Sequence, residues 1–519
     1  MSARSVLVRS SRIRGHGLTL AAGVAVVAIA ALLMVPALDA PAAENDEGLT
    51  VAAPARLLHG ELPQRDFYYP YSPGSVWVVA AADEVFGGTV GTERAVGMVY
   101  RLIIVAAAFA LLMCWGLPEA LLAAAIVAAL LVGSVLAVAS VGFWALALPG
   151  YALLARMALR PAAGRLWPLP VAGALLTASL LMRYDFLPAV VLGPLPAFLL
   201  LSRADRRRFF LGAAIGLVPL VVHLAVVGPS DMWRSVRIAL QVHGHPARPP
   251  FASDLAELVT LYVVATVVVL AAGFLLERRA GRDPEARVLL GGCLFGIGML
   301  PFAVTKPDEP HVVIAGLLAL AMLPAAAVVL IRGNLLSRPT PSPARAFALC
   351  AVLLVMFLAG ADAIRGPVYR QAQALVLGTR PVTYEVSNRG RSFPLADPQA
   401  ARDVQVMVDA ADRLARPGQS LFVGPQDLRT AGTADVFIYF LLDQLKPASY
   451  FIAVDPHTIN RPRNGFVPEL NRADFLILTT RETRFSAADA GPATPNQIVA
   501  SRFCVRAESG TYRLYQRCR

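Results

Sequence analysis

The chain reads as an α-helical polytopic membrane protein followed by a C-terminal α/β domain, and three observations predict this. Of 519 residues, 56% are hydrophobic and only 16% charged, with a mean hydropathy of +0.59; soluble domains are about half apolar and about a quarter charged. Apolar runs able to cross a hydrocarbon core of roughly 30 Å recur up to about residue 362. Beyond that point the apolar runs shorten to strand length and alternate with helix-like segments.

About eleven runs qualify as spans: 17 to 39, 97 to 116, 118 to 138, 141 to 159, 167 to 183, 186 to 202, 209 to 228, 255 to 276, 287 to 304, 311 to 331 and 345 to 362. The first follows Arg4, Arg9, Arg12 and Arg14, as a signal peptide would. It exceeds the usual length of such a leader and is read as an anchor. With a cytoplasmic N-terminus, the inward loops then carry Arg160 and Arg165, Arg203 with Arg206 to Arg208, Arg278, Arg279, Arg282 and Arg287, and Arg332, Arg338 and Arg345. Every Arg cluster falls on one face, as the positive-inside rule requires. The net charge of +12 is thereby assigned to the membrane surface, and no nucleic-acid partner is expected. The domains expected are a cytoplasmic segment 1–16, a transmembrane domain 17–362 with a large extracytoplasmic loop 40–96, and an extracytoplasmic α/β domain 363–519.

In that last domain, Ser420 to Val423, Tyr450 to Ala453 and Asp474 to Leu478 read as strands, and Ala400 to Leu414 and Asp435 to Leu445 as helices. Ile498 to Val505 and Tyr512 to Cys518 read as a hairpin turning near Ser509-Gly510. Cys504 and Cys518 lie on its two arms, where they can face each other, and an oxidising compartment would allow a disulfide. Cys114, Cys293 and Cys350 fall within spans and read as packing residues. No zinc-type cysteine spacing occurs.

Between the first two spans runs DEGLTVAAPARLLHGELPQRDFYYPYSPG, from Asp46 to Gly74, too polar to cross a membrane. Its Asp46-Glu47 pair, its Gly60-Glu61-Leu62-Pro63-Gln64-Arg65-Asp66-Phe67 element and its Ser72-Pro73-Gly74 turn resemble the first extracytoplasmic loop of the GT-C superfamily of membrane glycosyltransferases. The likeness is to the branch of the protein O-mannosyltransferases and the lipid A aminoarabinose transferases. It covers the first loop closely and the multi-span layout more loosely. The chain has Ser72-Pro73-Gly74 where the aminoarabinose transferases carry a K-P-P element, which weighs against a lipid A acceptor.

The resemblance implies an inverting transfer of sugar from a polyprenyl-phosphate donor to a hydroxyl of a glycan, glycolipid or protein. Such a transfer needs one carboxylate to take the acceptor proton, and the resemblance gives that role to Asp46, with Glu47 as an assisting acid. The structural alternative is a helix N-cap: Asp46 capping an amphipathic stretch from Gly48 to Leu58, with Glu47 favoured by the helix dipole. Asp66 is implied as the second acid of the same cavity. An ion pair with Arg65 is its alternative, although adjacent side chains seldom face one another. Tyr69, in the run Phe67-Tyr68-Tyr69, stands equally for an interfacial belt or a sugar-stacking platform, and Arg65 and Tyr69 are kept as loop contacts. Asp83-Glu84 reads as the polar end of a second loop helix.

The leaving phosphate needs cations. Arg183, in LMRYDF, stands between two spans on the same face, with snorkelling or pairing to Asp185 as alternatives. Lys306 and His311, in TKPDEPH, form a short charged loop like those of GT-C enzymes that use polyprenyl-phosphate sugars. His243 and His245 lie in the loop from Ser230 to Asp254, as a weak metal pair or as part of a segment closing over lipid. No cofactor is certain from the residues, and a divalent metal is left open. A transporter of lipid-linked saccharides and a non-catalytic partner of the same fold are the competing classes.

Overall fold

The computed structural model describes residues 3–132, 138–160, 167–244, 253–280, 283–305, 309–334, 362–429, 435–452, 465–481 and 491–518. The chain is a multi-pass membrane protein. Among the described residues, seven helical stretches are long and apolar enough to cross a membrane: Gly17–Asp39, Val90–Leu112, Val138–Leu159, Arg203–Val227, Leu258–Arg278, Pro284–Ala303 and Glu309–Leu330. The helices that carry them are α1 (Ala3–Met34), α4 (Val90–Leu112), α6 (Val138–Leu159), α10 (Arg203–Val227), α12 (Ser253–Ala280), α13 (Pro284–Thr305) and α14 (Glu309–Asn334). Two shorter apolar helices, α5 (Leu117–Val132) and α7 (Pro168–Ala178), pack with them. The expected span at 345–362 lies outside the described residues.

One expected span is not a single helix. The run at 186–202 breaks into α8 (Leu187–Leu192) and α9 (Leu195–Phe198) at Gly193-Pro194. Pro194 and Pro196 lack the N–H that would continue the ladder. The expected loop after residue 230 is instead largely helical, as α11 (Pro229–Gly244).

The first loop folds into α2 (Asp46–Leu58) and α3 (Gly74–Phe86), joined by an irregular turn. Val79 of α3 packs into the bundle core, but most of their other buried apolar residues join a second cluster. Leu49, Val51, Ala52, Phe67, Tyr68 and Tyr69 belong to one buried cluster with Phe422, Phe437, Phe451 and Phe475 of the C-terminal domain. Tyr69 is therefore neither an interfacial belt residue nor an exposed platform: it is 1% exposed, and its hydroxyl meets Ser75 Oγ at 2.8 Å.

The C-terminal domain carries a hairpin, β1 (Tyr384–Asn388) with β2 (Arg391–Leu395), and a five-stranded sheet. The sheet comprises β3 (Ser420–Pro425), β4 (Lys446–Pro447), β5 (Phe475–Thr479), β6 (Phe503–Ser509) and β7 (Tyr512–Arg517), in the order β4-β3-β5-β7-β6. β3 is parallel to β4 and β5, and β7 is antiparallel to β5 and β6. The fully buried β5 and near-buried β3 are continuous apolar runs because both faces are covered. Three expectations fail here, the first being the helix over Asp435 to Leu445, of which only Phe437–Leu441 is helical. Tyr450 to Ile452 are not a strand, and the short strand lies just before them, at Lys446–Pro447. Ile498 to Arg502 are helical, within Thr494–Arg502, so the final hairpin begins at Phe503. Cys504 and Cys518 are disulfide-bonded, with Cα atoms 5.3 Å apart.

Candidate active site

Asn45-Asp46-Glu47 opens α2, and acids in a first helical turn are favoured by the positive end of the helix dipole. The two acids have different surroundings. Glu47 is half-buried and accepts from the backbone N–H of Ala43 at 2.7 Å. It also takes a bidentate pair from Arg94 of α4, Nε to Oε1 at 2.7 Å and Nη2 to Oε2 at 3.1 Å. Arg94 spends its other donors on the carbonyls of Leu38 and Ala40, at 2.8 and 2.7 Å. One buried guanidinium thus fastens both sides of the turn leading into α2. Asp46 is exposed, and among the described residues its carboxylate makes no hydrogen bond or ion pair. The helix does start here, but Asn45 and not Asp46 holds the N-cap position, and Asp46, the first helical residue, keeps its carboxylate open to solvent.

Beneath the turn, the Thr50 hydroxyl lies 3.1 Å from the Glu47 carbonyl oxygen and 3.2 Å from Glu93 Oε1, with one proton to share between them. Glu93 and Arg94 did not figure among the expected site residues. Their trace in the sequence is Thr92-Glu93-Arg94 at the mouth of an apolar run, where charge is costly and so usually has a task.

Asp66 stands apart. Arg65 does face it, with Nη2 to Oδ2 at 2.8 Å and Nε to both oxygens at 3.1 Å, and Leu62 N–H adds a bond of 2.7 Å. The local turn brings the adjacent side chains together, against expectation. Burial alone would raise the Asp66 carboxyl; the bonds from Arg65 and Leu62 outweigh it and hold the group below its ordinary range. Both partners are about one-third exposed. Asp66 shares no hydrogen bond or ion pair with Asp46 or Arg183.

The residue between Pro63 and Arg65 matters more to the architecture. Gln64 is fully buried with φ of 67°. Its amide donates to the Tyr71 carbonyl at 2.6 Å and its Oε1 meets His223 Nε2 of α10 at 2.8 Å. Tyr450 of the C-terminal domain donates to its carbonyl at 2.8 Å. Loop, bundle and C-terminal domain meet at this side chain.

On the cation side, Arg183 is 4% exposed, so it does not snorkel to lipid. It pairs with Asp185 at 2.9 and 2.6 Å and donates from Nη1 to Ser140 Oγ at 2.9 Å, which uses three of its five N–H groups. Burial alone would weaken its hold on the proton; Asp185 outweighs this and keeps it above the ordinary arginine range. The guanidinium lies 4.5 Å from the ring centres of Tyr71 and Phe186 and 4.7 Å from that of Phe302. His311 stacks on the same Phe302 at 4.3 Å.

The first loop docks here through Ser72, whose Oγ accepts from Tyr184 N–H at 2.8 Å. Gly74 sits so close to this segment that a Cβ would lie 2.6 Å from the Leu181 carbonyl oxygen. The structure therefore brings Arg183, His311 and the end of the first loop together. Lys306 and His245 lie outside the described residues, and His243 falls in the last turn of α11. Among the described residues no three His, Cys, Asp or Glu side chains converge on a point.

The C-terminal domain also grips the loop. Arg56, 2% exposed, pairs with Glu61 and donates to the carbonyls of Asp443 and Leu445. Glu44, two residues before Asp46, is bound by Arg481, which also approaches Asp435 at 3.8 Å. Tyr512 donates to Asp435 at 2.5 Å. Burial pushes the Asp435 carboxyl up to about 6, assisted by Glu44 and opposed by Tyr512 and Arg481. Asp83 and Glu84 do end a loop helix, α3; Asp83 is buried, and burial raises its carboxyl to about 7 against the pull of Arg391.

No protein-family model and no curated protein sequence matches this chain. Among solved structures it is similar to ArnT from Cupriavidus metallidurans bound to undecaprenyl phosphate, at 13% identity and a TM-score of 0.47 over 99% of this chain and 98% of that one. The apo state of the same protein matches at 14% and 0.48 over 97% and 98%. The apo Archaeoglobus fulgidus oligosaccharyltransferase matches at 12% and 0.46 over 88% and 69%.

Proposed function

We propose that the protein is an inverting glycosyltransferase that moves a sugar from a polyprenyl-phosphate donor to a hydroxyl of an envelope glycan, glycolipid or protein. The observation that carries this reading is Asp46: an unpaired, exposed carboxylate on a turn that Arg94 and Glu47 hold in place. Its loop runs on to the buried cation Arg183. In the reaction, Asp46 takes the acceptor hydroxyl proton as that oxygen attacks the anomeric carbon from the face opposite the phosphate. The carbon–oxygen bond to phosphate breaks, and its electron pair stays on the bridging oxygen. Arg183, with His311 beside it and Lys306 in the same loop, would stabilise that charge. Asp66 is the weaker candidate, because its carboxylate is committed to Arg65.

The side assignment proposed is a cytoplasmic N-terminus with the first loop and the C-terminal domain outside the cell membrane. The Arg clusters between spans support it, as does the disulfide Cys504–Cys518, since disulfides persist in oxidising compartments.

The test is transfer of radiolabelled sugar from a panel of polyprenyl-phosphate donors, beginning with undecaprenyl phosphate as carrier, in membranes holding wild type or Asp46→Asn, with and without chelator. Product from wild type and a loss of at least about a hundredfold in the variant are expected if a general base is removed. Equal product from both would remove Asp46 from the base role. A protein that moves lipid-linked sugar across the bilayer without transferring it would favour the transporter class.

A further inference from the structure

Two polar side chains on α4 take no part in the reaction as drawn. Glu93, Gly97, Tyr100, Ile104 and Ala108 recur at spacings of three and four and form the buried face of that helix. Tyr100 is 9% exposed, and its hydroxyl is buried with no hydrogen-bond partner among the described residues. Its ring lies against Gly142 of α6, where an added Cβ would stand 3.0 Å from ring carbon Cε2 and 3.2 Å from Met182 Sδ. Met182 precedes Arg183, and Ser140 of the same α6 binds the Arg183 guanidinium. Tyr100 therefore belongs to the wall that holds Arg183.

Arg101 follows it, inside an apolar span where a charge is unfavourable unless it serves a site. Its guanidinium folds back over Gly97: a Cβ there would stand 3.1 Å from Nη1. That direction aims it at the N-terminal end of α4, where Glu93 and Glu47 act on it electrostatically. A buried hydroxyl without a partner is destabilising to the empty protein. Its retention beside a membrane-depth arginine suits a ligand that accepts hydrogen bonds and carries negative charge.

We propose that Tyr100 and Arg101 form an anion subsite on α4 for the phosphate of a lipid-borne ligand. The hydroxyl donates to a phosphate oxygen, the guanidinium balances the charge, and Gly97 leaves the guanidinium its room. The proposal rests on the donor reading above and adds α4 to the wall formed around Arg183. A phosphate group could reach the site on a polyprenyl carrier, on an anionic phospholipid or as the free ion, and binding distinguishes them.

Purified full-length protein would be titrated with undecaprenyl phosphate, uncharged undecaprenol, phosphatidylglycerol and inorganic phosphate, as wild type, Tyr100→Phe, Arg101→Gln and Arg101→Lys. Tyr100→Phe removes one unpartnered oxygen, so its Tm should be unchanged or higher, while undecaprenyl phosphate binding weakens about tenfold, as for loss of a bond to a charged group. Arg101→Gln should weaken it further, Arg101→Lys should recover part, and undecaprenol binding should not respond. Wild-type affinity in a folded Tyr100→Phe would overturn the subsite, even if Arg101→Gln failed to fold. Binding of phosphatidylglycerol or inorganic phosphate alone, weakened by the same variants, would keep the subsite and sink the polyprenyl donor. No phosphate binding by wild type in any arm would overturn the proposal.

Discussion

Asp46 and Glu47 are neighbours in sequence and differ in what binds them. Glu47 is tied to Ala43 and Arg94, and Asp46 projects from the same turn with no partner among the described residues. Arg94 should therefore control the turn. Removing one partner of a largely buried, hydrogen-bonded ion pair costs about 3 kcal/mol, so Arg94→Ala should lower the Tm and speed amide exchange at Ala43 and from Glu47 to Leu49. Arg94→Lys keeps the charge but lacks the planar fork that reaches Glu47 and two carbonyls together, and should fall between. Unchanged exchange in Arg94→Ala would show that the turn is held by something else. The charges of Glu93 and Arg94 were visible in the sequence; the tie of Arg94 to Glu47, 47 positions away, was not.

Among the elements, the ones legible in advance were those with a strong local pattern. The long apolar helices, the helix Pro398–Leu414, β3 and β5 fall close to where periodicity puts them. The misses have local physical causes. Gly193-Pro194 breaks an apolar run, and Tyr450 to Ile452 are apolar because they are buried under the first loop, without pairing in the sheet. The hairpin β1–β2 went unread because its turn, Arg389-Gly390, is short; both residues take positive φ, 48° and 82°, as a two-residue hairpin turn requires. The final hairpin is cross-linked by a disulfide with a sequence separation of 14. Closing a loop of that size stabilises by about 3 kcal/mol, so Cys504→Ser with Cys518→Ser should lower the melting temperature of the C-terminal domain. Reducing agent should lower the wild-type value and leave the variant unaffected.

At the scale of the molecule, the C-terminal domain and the first loop share one core, so that domain is part of the scaffold of the candidate base. Their junction contains Glu44, Asp435, Arg481 and Tyr512, and this makes docking pH-dependent. Asp435 holds its proton to about pH 6 when docked, against about 3.9 in an open chain. The docked state therefore binds more protons between these values, and its stability falls as pH rises from about 4 to about 6. Melting temperature should drop across that window, and Asp435→Asn should flatten the profile. A wild-type profile that rises there would contradict the assignment.

The sequence by itself determined the membrane class, the succession of apolar helices, the strand–helix alternation of the C-terminal domain and the acidic turn after the first span. These depend on composition, on periodicity within one element and on residues a few positions apart. Only the tertiary structure decided which acid stays free, that Arg65 occupies Asp66, that Arg183 is enclosed by three rings, and that loop and C-terminal domain are one body. Each of these except the Arg65–Asp66 pair depends on side chains tens to hundreds of residues apart meeting in a low-dielectric interior. There desolvation makes the choice of partner decisive, and local pattern carries no record of it.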